Sequence, residues 1–243
     1  FPDEAYYLPE QSEIERATNY PYDAPQGAFV LDHGRLTDFR DAAILAGRTA
    51  VLSVGSNRAP VQLRRKFGDS EIIPVTPAVL HDCDIVHAAQ LGYYGAVPCT
   101  AFPAKGCDVG LNIAWLDAAQ LALMHRTEAL GVAYDFVRFN GGAVTHLPIP
   151  TAGGEVISGY QPIFGYAARG GVLNVGGGMP AGLSAIPAKN RIFETMSQQQ
   201  AASLVRTLTG HDDARAMEYF VADMQASRSA RMAVLERLSA HML

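Results

Sequence analysis

The chain has 243 residues, 49% hydrophobic and 18% charged, with a formal net charge of −5. This composition suits one large domain, or one domain with appendages, around a sizeable core. No apolar run approaches the ~20 residues that a membrane-spanning helix needs. The negative net charge argues against nucleic-acid binding, because the one tight basic cluster, at 64–66, is typical of a solvated helix face.

The N-terminal region, residues 1–36, is rich in proline, tyrosine and acidic residues. Aromatic side chains need a surface on which to bury, so we expect an extended N-terminal arm that wraps the body or a partner chain. A short helix capped by Thr37 or Asp38 should follow, reach Leu45, and stop at Gly47.

Strands and one short helix are predicted for the middle of the chain. The apolar run 49–54 predicts a buried strand with a turn after it, and Pro60 is placed to open a short helix to about residue 67. The alternation of apolar and polar residues predicts four further strands, at 72–75, 78–89, 93–102 and 109–115. Pro103 and Gly106 predict a turn between the last two.

Two capping boxes predict helices further along. Asp117 and Gln120 have the spacing of the first capping box, which predicts a helix that runs to about Glu128. Gly131 should end this helix, and a strand at 133–139 should follow. A second box at 197–200 opens a helix to about residue 208, and a last helix should run from about 213 to 238. The glycine-rich stretch 153–182 is either an ordered functional loop or poorly ordered.

The strand-end loop at residues 54–57, with the sequence Val54-Gly55-Ser56-Asn57, carries the clearest chemical signal. A strand that ends in Gly-Ser-Asn exposes backbone N–H groups and small polar side chains that can hold a carboxylate or a carbonyl oxygen. Gly-Ser-Asn is also an ordinary turn composition. Glu128 is unusual in its position, because a carboxylate is mildly disfavoured at the negative end of a helix.

Three other groups are weaker candidates for chemistry. Strand alternation would place His81, Cys83 and His87 on one face, as in a metal site, although structural histidines are commoner. Cys99 could act as a thiol nucleophile with His146 or His87 as its base, although buried strand cysteines are usually inert. The glycines at 176–178 lack the G-K-[ST] ending of a phosphate-binding loop and would suit a lid or a subunit contact. The segment 189–191 could supply a cation for an anionic substrate, although a surface position is the more ordinary interpretation.

The order of these motifs resembles the gamma-glutamylcyclotransferase-like superfamily over roughly residues 49–140. An apolar strand leads into G-S-N, a strand at 95–101 is similar to that family's G-x-x-A-T strand, and 103–109 is similar to its P-G-x-x-V hairpin. A helix whose last turn carries Glu128 follows, and Tyr134 opens the next strand. The chain departs from the family at Val54, where tyrosine is usual, and in its long N- and C-terminal additions.

The resemblance implies roles for these residues. The loop at Val54, Gly55, Ser56 and Asn57 would cradle the substrate, with Tyr134 as a further binding residue, and Glu128 would be the catalytic general acid/base. The implied reaction is attack by the substrate's own amine on its gamma-amide carbonyl, which releases an amine and 5-oxoproline without a metal or cofactor. Water-driven hydrolysis and a non-catalytic, metabolite-binding role remain alternatives.

Taken together, the sequence predicts an α+β protein with a mixed sheet curled into a small barrel and flanked by helices. We expect an arm and short helix at 1–48, the gamma-glutamylcyclotransferase-like core at 49–150, and a glycine-rich loop with a helical extension at 151–243. Three cysteines without C-x-x-C spacing and an opening unlike a signal peptide predict a cytoplasmic protein. Its partner would be a small molecule rather than nucleic acid or a membrane, and the arm and extension allow for a homo-oligomer.

Overall fold

The computed structural model describes residues 1, 3–150, 156–157, 159, 162–211 and 216–243. Seven α-helices lie in these residues, and the longest has 11 residues. They are α1 (Glu4–Tyr7), α2 (Glu13–Thr18), α3 (Pro60–Phe67), α4 (Ala118–Thr127), α5 (Gln198–Leu208), α6 (Met217–Ala226) and α7 (Arg228–Leu238). None of these described helices is long and apolar enough to cross a membrane.

Thirteen strands are described, and eleven of them form one mixed sheet. They are β1 (Phe29–Asp32), β2 (Arg35–Asp38), β3 (Thr49–Ser53), β4 (Ile72–His87), β5 (Cys99–Leu116), β6 (Tyr134–Arg138), β7 (Val144–His146), β8 (Ile149–Pro150), β9 (Val156–Ile157), β10 (Ile163–Ala168), β11 (Gly182–Leu183), β12 (Ala188–Lys189) and β13 (Thr195–Met196). The sheet's main path runs β13-β11-β4-β5-β3-β10-β6, and no pairing among the described strands closes it. The protein is therefore α+β, with a large mixed sheet and flanking helices.

Strand β3 occupies the middle of this sheet, antiparallel to β5 and parallel to β10. Its side chains alternate between two core clusters, because successive residues of a strand point to opposite faces. Ala50 and Leu52 pack in one cluster, and Val51 packs in the other. Burial on both faces explains why this segment is a continuous apolar run in the sequence.

The four strands predicted across 72–115 are two long strands. β4 and β5 pair from Val75 with Ala114 to His87 with Cys99, and the segment 93–98 is loop rather than strand. No hairpin forms at the predicted turn: β5 continues through it, and the ladder shifts register there as a bulge opposite Asp82. The Asp82 carboxylate accepts from the Gly106 amide at 2.7 Å, which fixes the bulge.

The N-terminal segment packs on the body of the protein. Instead of a helix capped by Thr37 or Asp38, the hairpin of β1 and β2 adds to the edge of β4. Only a short 3-10 helix follows, at Ala42–Leu45, and the Asp41 side chain caps it by accepting from the Ala43 amide. The expectation that the arm's aromatic residues bury is met by Tyr20, which is 5% exposed.

The C-terminal segment contributes both strands and helices. β10 lies inside the sheet, and α5 begins at the predicted capping box of Ser197 and Gln200. The predicted single last helix is two helices, because the chain leaves helical geometry at Ser227, whose side chain caps α7. The predicted start of that helix near 213 lies outside the described residues.

Candidate functional site

A cavity of about 630 Å³ opens at the end of β3. The loop after β3, the end of α4, the segment 90–94 and one side of α7 contribute to its wall. All six residues that the sequence assigned to substrate binding or catalysis line it: Val54, Gly55, Ser56, Asn57, Glu128 and Tyr134. The structure thus brings two segments about seventy residues apart to one concave surface.

The strand-end loop is compact because Gly55 has no side chain. A Cβ there would collide with the Tyr20 hydroxyl and would lie 2.9 Å from the Cys99 sulfur. Ser56–Arg58 then forms one turn of 3-10 helix. The first amides of a helical turn have no partner within it, and the N–H groups of Gly55, Ser56 and Asn57 donate to no acceptor among the described residues.

Glu128 is the C-cap residue of α4, and its amide donates to the Met124 carbonyl at 2.9 Å. Its side chain is 16% exposed. One carboxylate oxygen, Oε1, accepts from Asn57 Nδ2 at 3.0 Å and from the Lys66 ammonium. The Lys66 side chain is 5% exposed, so a buried cation compensates the negative helix end at which the carboxylate lies.

Two acceptor atoms beside this pair have no partner in the described part of the chain. Oε2 of Glu128 makes no hydrogen bond there, because both of the carboxylate's contacts are on Oε1. The Asn57 side-chain oxygen is buried and also lacks a partner. Buried polar atoms are nearly always hydrogen-bonded in folded proteins, so the buried Asn57 oxygen is suited to a ligand's donor group, and the free Oε2 can accept from a ligand as well.

Neutral tyrosines face the same cavity. Burial, together with the negative charge of Glu128, raises the pKa of Tyr134 well above its ordinary value. Burial likewise raises the pKa of Tyr94 and Tyr20, so their hydroxyls stay protonated near neutral pH. The Tyr134 hydroxyl has no hydrogen-bond partner among the described residues and can donate to a ligand.

Cys99 lines the cavity but is not set up as a nucleophile. Burial raises the pKa of its thiol to about 12, so the reactive thiolate is scarce at neutral pH. Its sulfur lies 3.1 Å from the Tyr20 hydroxyl and 3.4 Å from the Val54 carbonyl oxygen. Neither histidine proposed as its base is its partner, so the thiol alternative is wrong for this geometry.

The possible metal cluster on β4 does not form. The bulge at Asp82 breaks the alternation that would have aligned His81, Cys83 and His87. His81 instead contacts Asp108 at 2.7 Å, and His87 contacts the Met196 carbonyl at 3.0 Å. Within the described ranges, no group of three or more His, Cys, Asp or Glu side chains is placed so that it could hold a metal ion.

The cations of the cavity are the residues that the sequence analysis missed. Lys66, assigned there to a solvated helix face, is buried against Glu128. Its position three residues after the fully buried Leu63 on α3 is a helical-spacing signal that could have revealed it. Arg191, which the sequence suggested as a cation for the substrate, forms an ion pair with the buried Asp84 instead. The glycines at 176–178 do not line the cavity.

No protein-family model matches the chain, and the comparison with curated proteins finds no match. Among solved structures, the chain is similar to the crystal structure of an uncharacterized protein from Homo sapiens, with 11% sequence identity and a TM-score of 0.34. That similarity covers 77% of this chain and 98% of the human one. A likeness of this strength carries no argument about fold or function.

Proposed function

We propose that this chain is a gamma-glutamylcyclotransferase-like enzyme that cleaves a small amide by attack of the substrate's own amine. One observation carries the proposal: Glu128 and the strand-end loop converge on one cavity, joined by the 3.0 Å hydrogen bond from Asn57. The proposal includes the finer fold assignment, in which the long β4–β5 pair bends at its bulge to form a curled, barrel-like core.

The two oxygens of Glu128 suit a proton shuttle. Lys66 and Asn57 hold Oε1, and Oε2 is left to meet the substrate. In the proposed reaction Oε2 takes protons from the attacking nitrogen and delivers them to the leaving nitrogen, so one carboxyl serves as base and then as acid. The ring C–N bond forms as the amide C–N bond breaks, which yields 5-oxoproline and a free amine.

The remaining groups would hold the substrate in a folded-back pose. The unpartnered amides of the strand-end loop can stabilise the oxyanion that develops on the carbonyl oxygen. The unpartnered Asn57 oxygen can accept from the attacking amine, and the neutral Tyr134 hydroxyl can donate to the substrate. Because the amine and the amide belong to one molecule, positioning them could supply up to roughly 7–11 kcal/mol.

The test is turnover of gamma-glutamyl-alanine by the wild-type chain and by Glu128→Gln, with products separated by liquid chromatography and mass spectrometry. We expect 5-oxoproline from the wild-type chain and a loss of about 10²- to 10⁴-fold in the variant. Glu218→Gln, which changes an exposed glutamate outside the cavity, is the matched control and should turn over normally.

Other outcomes select the alternatives. Free glutamate in place of the lactam would indicate hydrolysis by water on the same scaffold. Ligand-induced thermal stabilisation without any product would favour a metabolite-binding protein. Unchanged turnover by Glu128→Gln would contradict the role assigned to that carboxyl.

A further inference from the structure

A second group of chemically competent side chains lies outside the cavity, on the outer face of the sheet. His81 of β4, Asp108 of β5 and Thr145 of β7 come from three neighbouring strands and are here called the strand triad. Nδ1 of His81 lies 2.7 Å from the Asp108 carboxylate, and Nε2 of the same ring lies 2.8 Å from the Thr145 hydroxyl. None of the three lines the cavity, and the proposed function uses none of them.

The partners of the His81 ring determine which of its nitrogens carries the proton. A carboxylate only accepts hydrogen bonds, so Nδ1 of His81 donates to Asp108. In the neutral ring Nε2 is then the acceptor, and the Thr145 hydroxyl must donate to it. A hydroxyl that donates to an imidazole, which is itself oriented by a third group, is the arrangement that activates a nucleophile.

The sheet holds the strand triad in this arrangement. His81 lies directly opposite Asp108 in the β4–β5 ladder, and Thr145 lies opposite Val79, two residues before His81. Opposed residues of antiparallel strands point to the same face, and diagonal neighbours remain within reach of long side chains. The β-branched side chain of Thr145 also has few χ1 rotamers, so its hydroxyl is held towards the imidazole by little loss of freedom.

The outer face leaves room for a ligand at the strand triad. The side chains of His81 and Asp108 are 34% and 40% exposed, and Thr145 is exposed as well. Gly110 follows Asp108 by two residues on β5 and therefore points to the same face. Nothing lies within 4 Å of a Cβ built at Gly110, so there is open space on this face close to the triad.

The turn that precedes β7 adds hydrogen-bond donors near His81. The His81 amide donates to the Ala143 carbonyl at 2.9 Å, so this turn lies against β4 at the position of the triad. The N–H groups of Gly141 and Gly142, in the same turn, donate to no acceptor among the described residues. Unpartnered amides are suited to the oxyanion that forms when a nucleophile attacks a carbonyl.

We propose that the strand triad is a second reactive site, at which Thr145 attacks activated carboxylic esters. The Thr145 oxygen bonds to the ester carbonyl carbon while its proton passes to Nε2 of His81. The bond from that carbon to the leaving oxygen then breaks, and the released alcohol takes the proton. A water molecule, deprotonated by the same imidazole, frees the acid and restores the hydroxyl, while Asp108 keeps the ring in the required tautomer.

The exposure of the strand triad indicates which esters it would accept. Water screens charges at an exposed site, so the site stabilises an oxyanion less than a buried one would. The reaction is therefore restricted to esters whose leaving group departs easily, such as aryl esters. This activity goes beyond the proposed amide cleavage and does not depend on it.

Covalent labelling of the 243-residue chain with an alkyl fluorophosphonate, followed by peptide mass spectrometry, tests the inference. The probe traps an imidazole-activated hydroxyl: the oxygen bonds to phosphorus, fluoride leaves, and the proton passes through the imidazole to solvent. We expect the label on Thr145. Thr145→Ser keeps the hydroxyl and should be labelled at the same position, whereas Thr145→Val keeps the branched shape without the hydroxyl and should not be labelled there.

Hydrolysis of p-nitrophenyl acetate measures turnover at the same site. His81→Gln removes the base, so both the labelling rate and the protein-dependent hydrolysis should fall about 10²-fold. Asp108→Asn should lower both as well, because an amide at this position can donate to Nδ1 and so favour the wrong tautomer. His33→Gln is the matched control, because it removes another exposed histidine that contacts a carboxylate, and it should leave both rates unchanged.

The outcomes decide the inference separately from the proposed amide cleavage. A label on Thr145 that depends on His81 supports the second site. A wild-type chain that is unlabelled at Thr145, labelling that survives His81→Gln, or ester hydrolysis by Thr145→Val at the wild-type rate would overturn it. Thr145→Val should still form 5-oxoproline from gamma-glutamyl-alanine as the wild-type chain does, so loss of one activity contradicts only the site assigned to it.

Discussion

Two of the described ion pairs join segments 62 and 107 residues apart, and they differ in how fully the carboxylate is hydrogen-bonded. Asp84 on β4 is completely buried, and both of its oxygens are occupied, by the Arg191 guanidinium at 2.8 Å and by the Ile85 amide at 2.7 Å. Glu128 is partly exposed, and both of its contacts are on one oxygen. The first carboxylate is closed to any ligand, whereas the second is open.

The two carboxylates differ both in burial and in hydrogen bonding, and the second difference leaves Glu128, but not Asp84, with an oxygen that can meet a ligand. A Cβ on Gly182 would lie 2.9 Å from both Asp84 and Arg191, so there is no room for a ligand beside that pair. The pair fixes the segment after β12 to the sheet. Glu128 is less buried than Asp84, and its Oε2 atom has no partner among the described residues. Because it also faces a cavity, Glu128 is the better candidate for a catalytic carboxylate.

The largest expected effect is that of Asp84→Asn, which should lower the free energy of unfolding by about 3–5 kcal/mol because it leaves the Arg191 cation, only 13% exposed, without its counter-charge. Glu128→Gln should cost less, because the Glu128 side chain borders the cavity and is 16% exposed, whereas the Asp84 side chain is completely buried. Urea unfolding of both variants measures the two losses. Turnover should show the reverse order when Asp84→Asn is assayed while folded.

Asp69→Asn is the matched control, because its pair with Arg64 lies at the surface. We expect no measurable change in its unfolding midpoint, since exposed pairs contribute little. If Asp84→Asn and Glu128→Gln lowered the free energy of unfolding equally, the two ion pairs would contribute equally to stability and the comparison would be wrong.

A second test concerns the loop beside the open pair. Gly55→Ala should destabilise the fold by about 1–3 kcal/mol, because its Cβ meets buried atoms of Tyr20 and Cys99. Gly110→Ala is the control, since nothing lies within 4 Å of a Cβ there. Adding Tyr20→Phe, which removes the colliding oxygen, should recover part of the loss. Simple addition of the two single losses would contradict the clash.

A third test concerns the ion pair of Lys66 and Glu128 itself. Lys66→Met removes the cation that holds Oε1 of Glu128, so kcat should fall about ten- to a hundredfold while KM changes little, as for other residues that orient a reacting group. Arg64→Met, on the exposed side of the same helix, should leave both constants unchanged. A Lys66→Met chain with wild-type kcat would mean that Glu128 needs no such orientation.

Much of the fold could be predicted because its signals are local. Both capping boxes form, at Asp117 and at Ser197, because a cap depends on residues three positions apart. The buried strand β3 follows equally from its apolar run. The turn predicted at 103–106 was wrong because proline and glycine also fit a bulge, and pairing with β4 along nearly its whole length decided between the two.

For the candidate site, the strand-end loop and the helix that ends next to Glu128 could be predicted from the sequence alone, since each depends on a short stretch of chain. Which charges lie beside them depends on the tertiary packing. The cavity is lined by Lys66 of α3 and by Arg228 and Arg231 of α7, and each of them fits an ordinary helical pattern in the sequence. Whether a polar helix face meets water or a cavity depends on how helices far apart in the chain pack. No local pattern encodes that packing, so the sequence alone located the candidate carboxylate but not the cations around it.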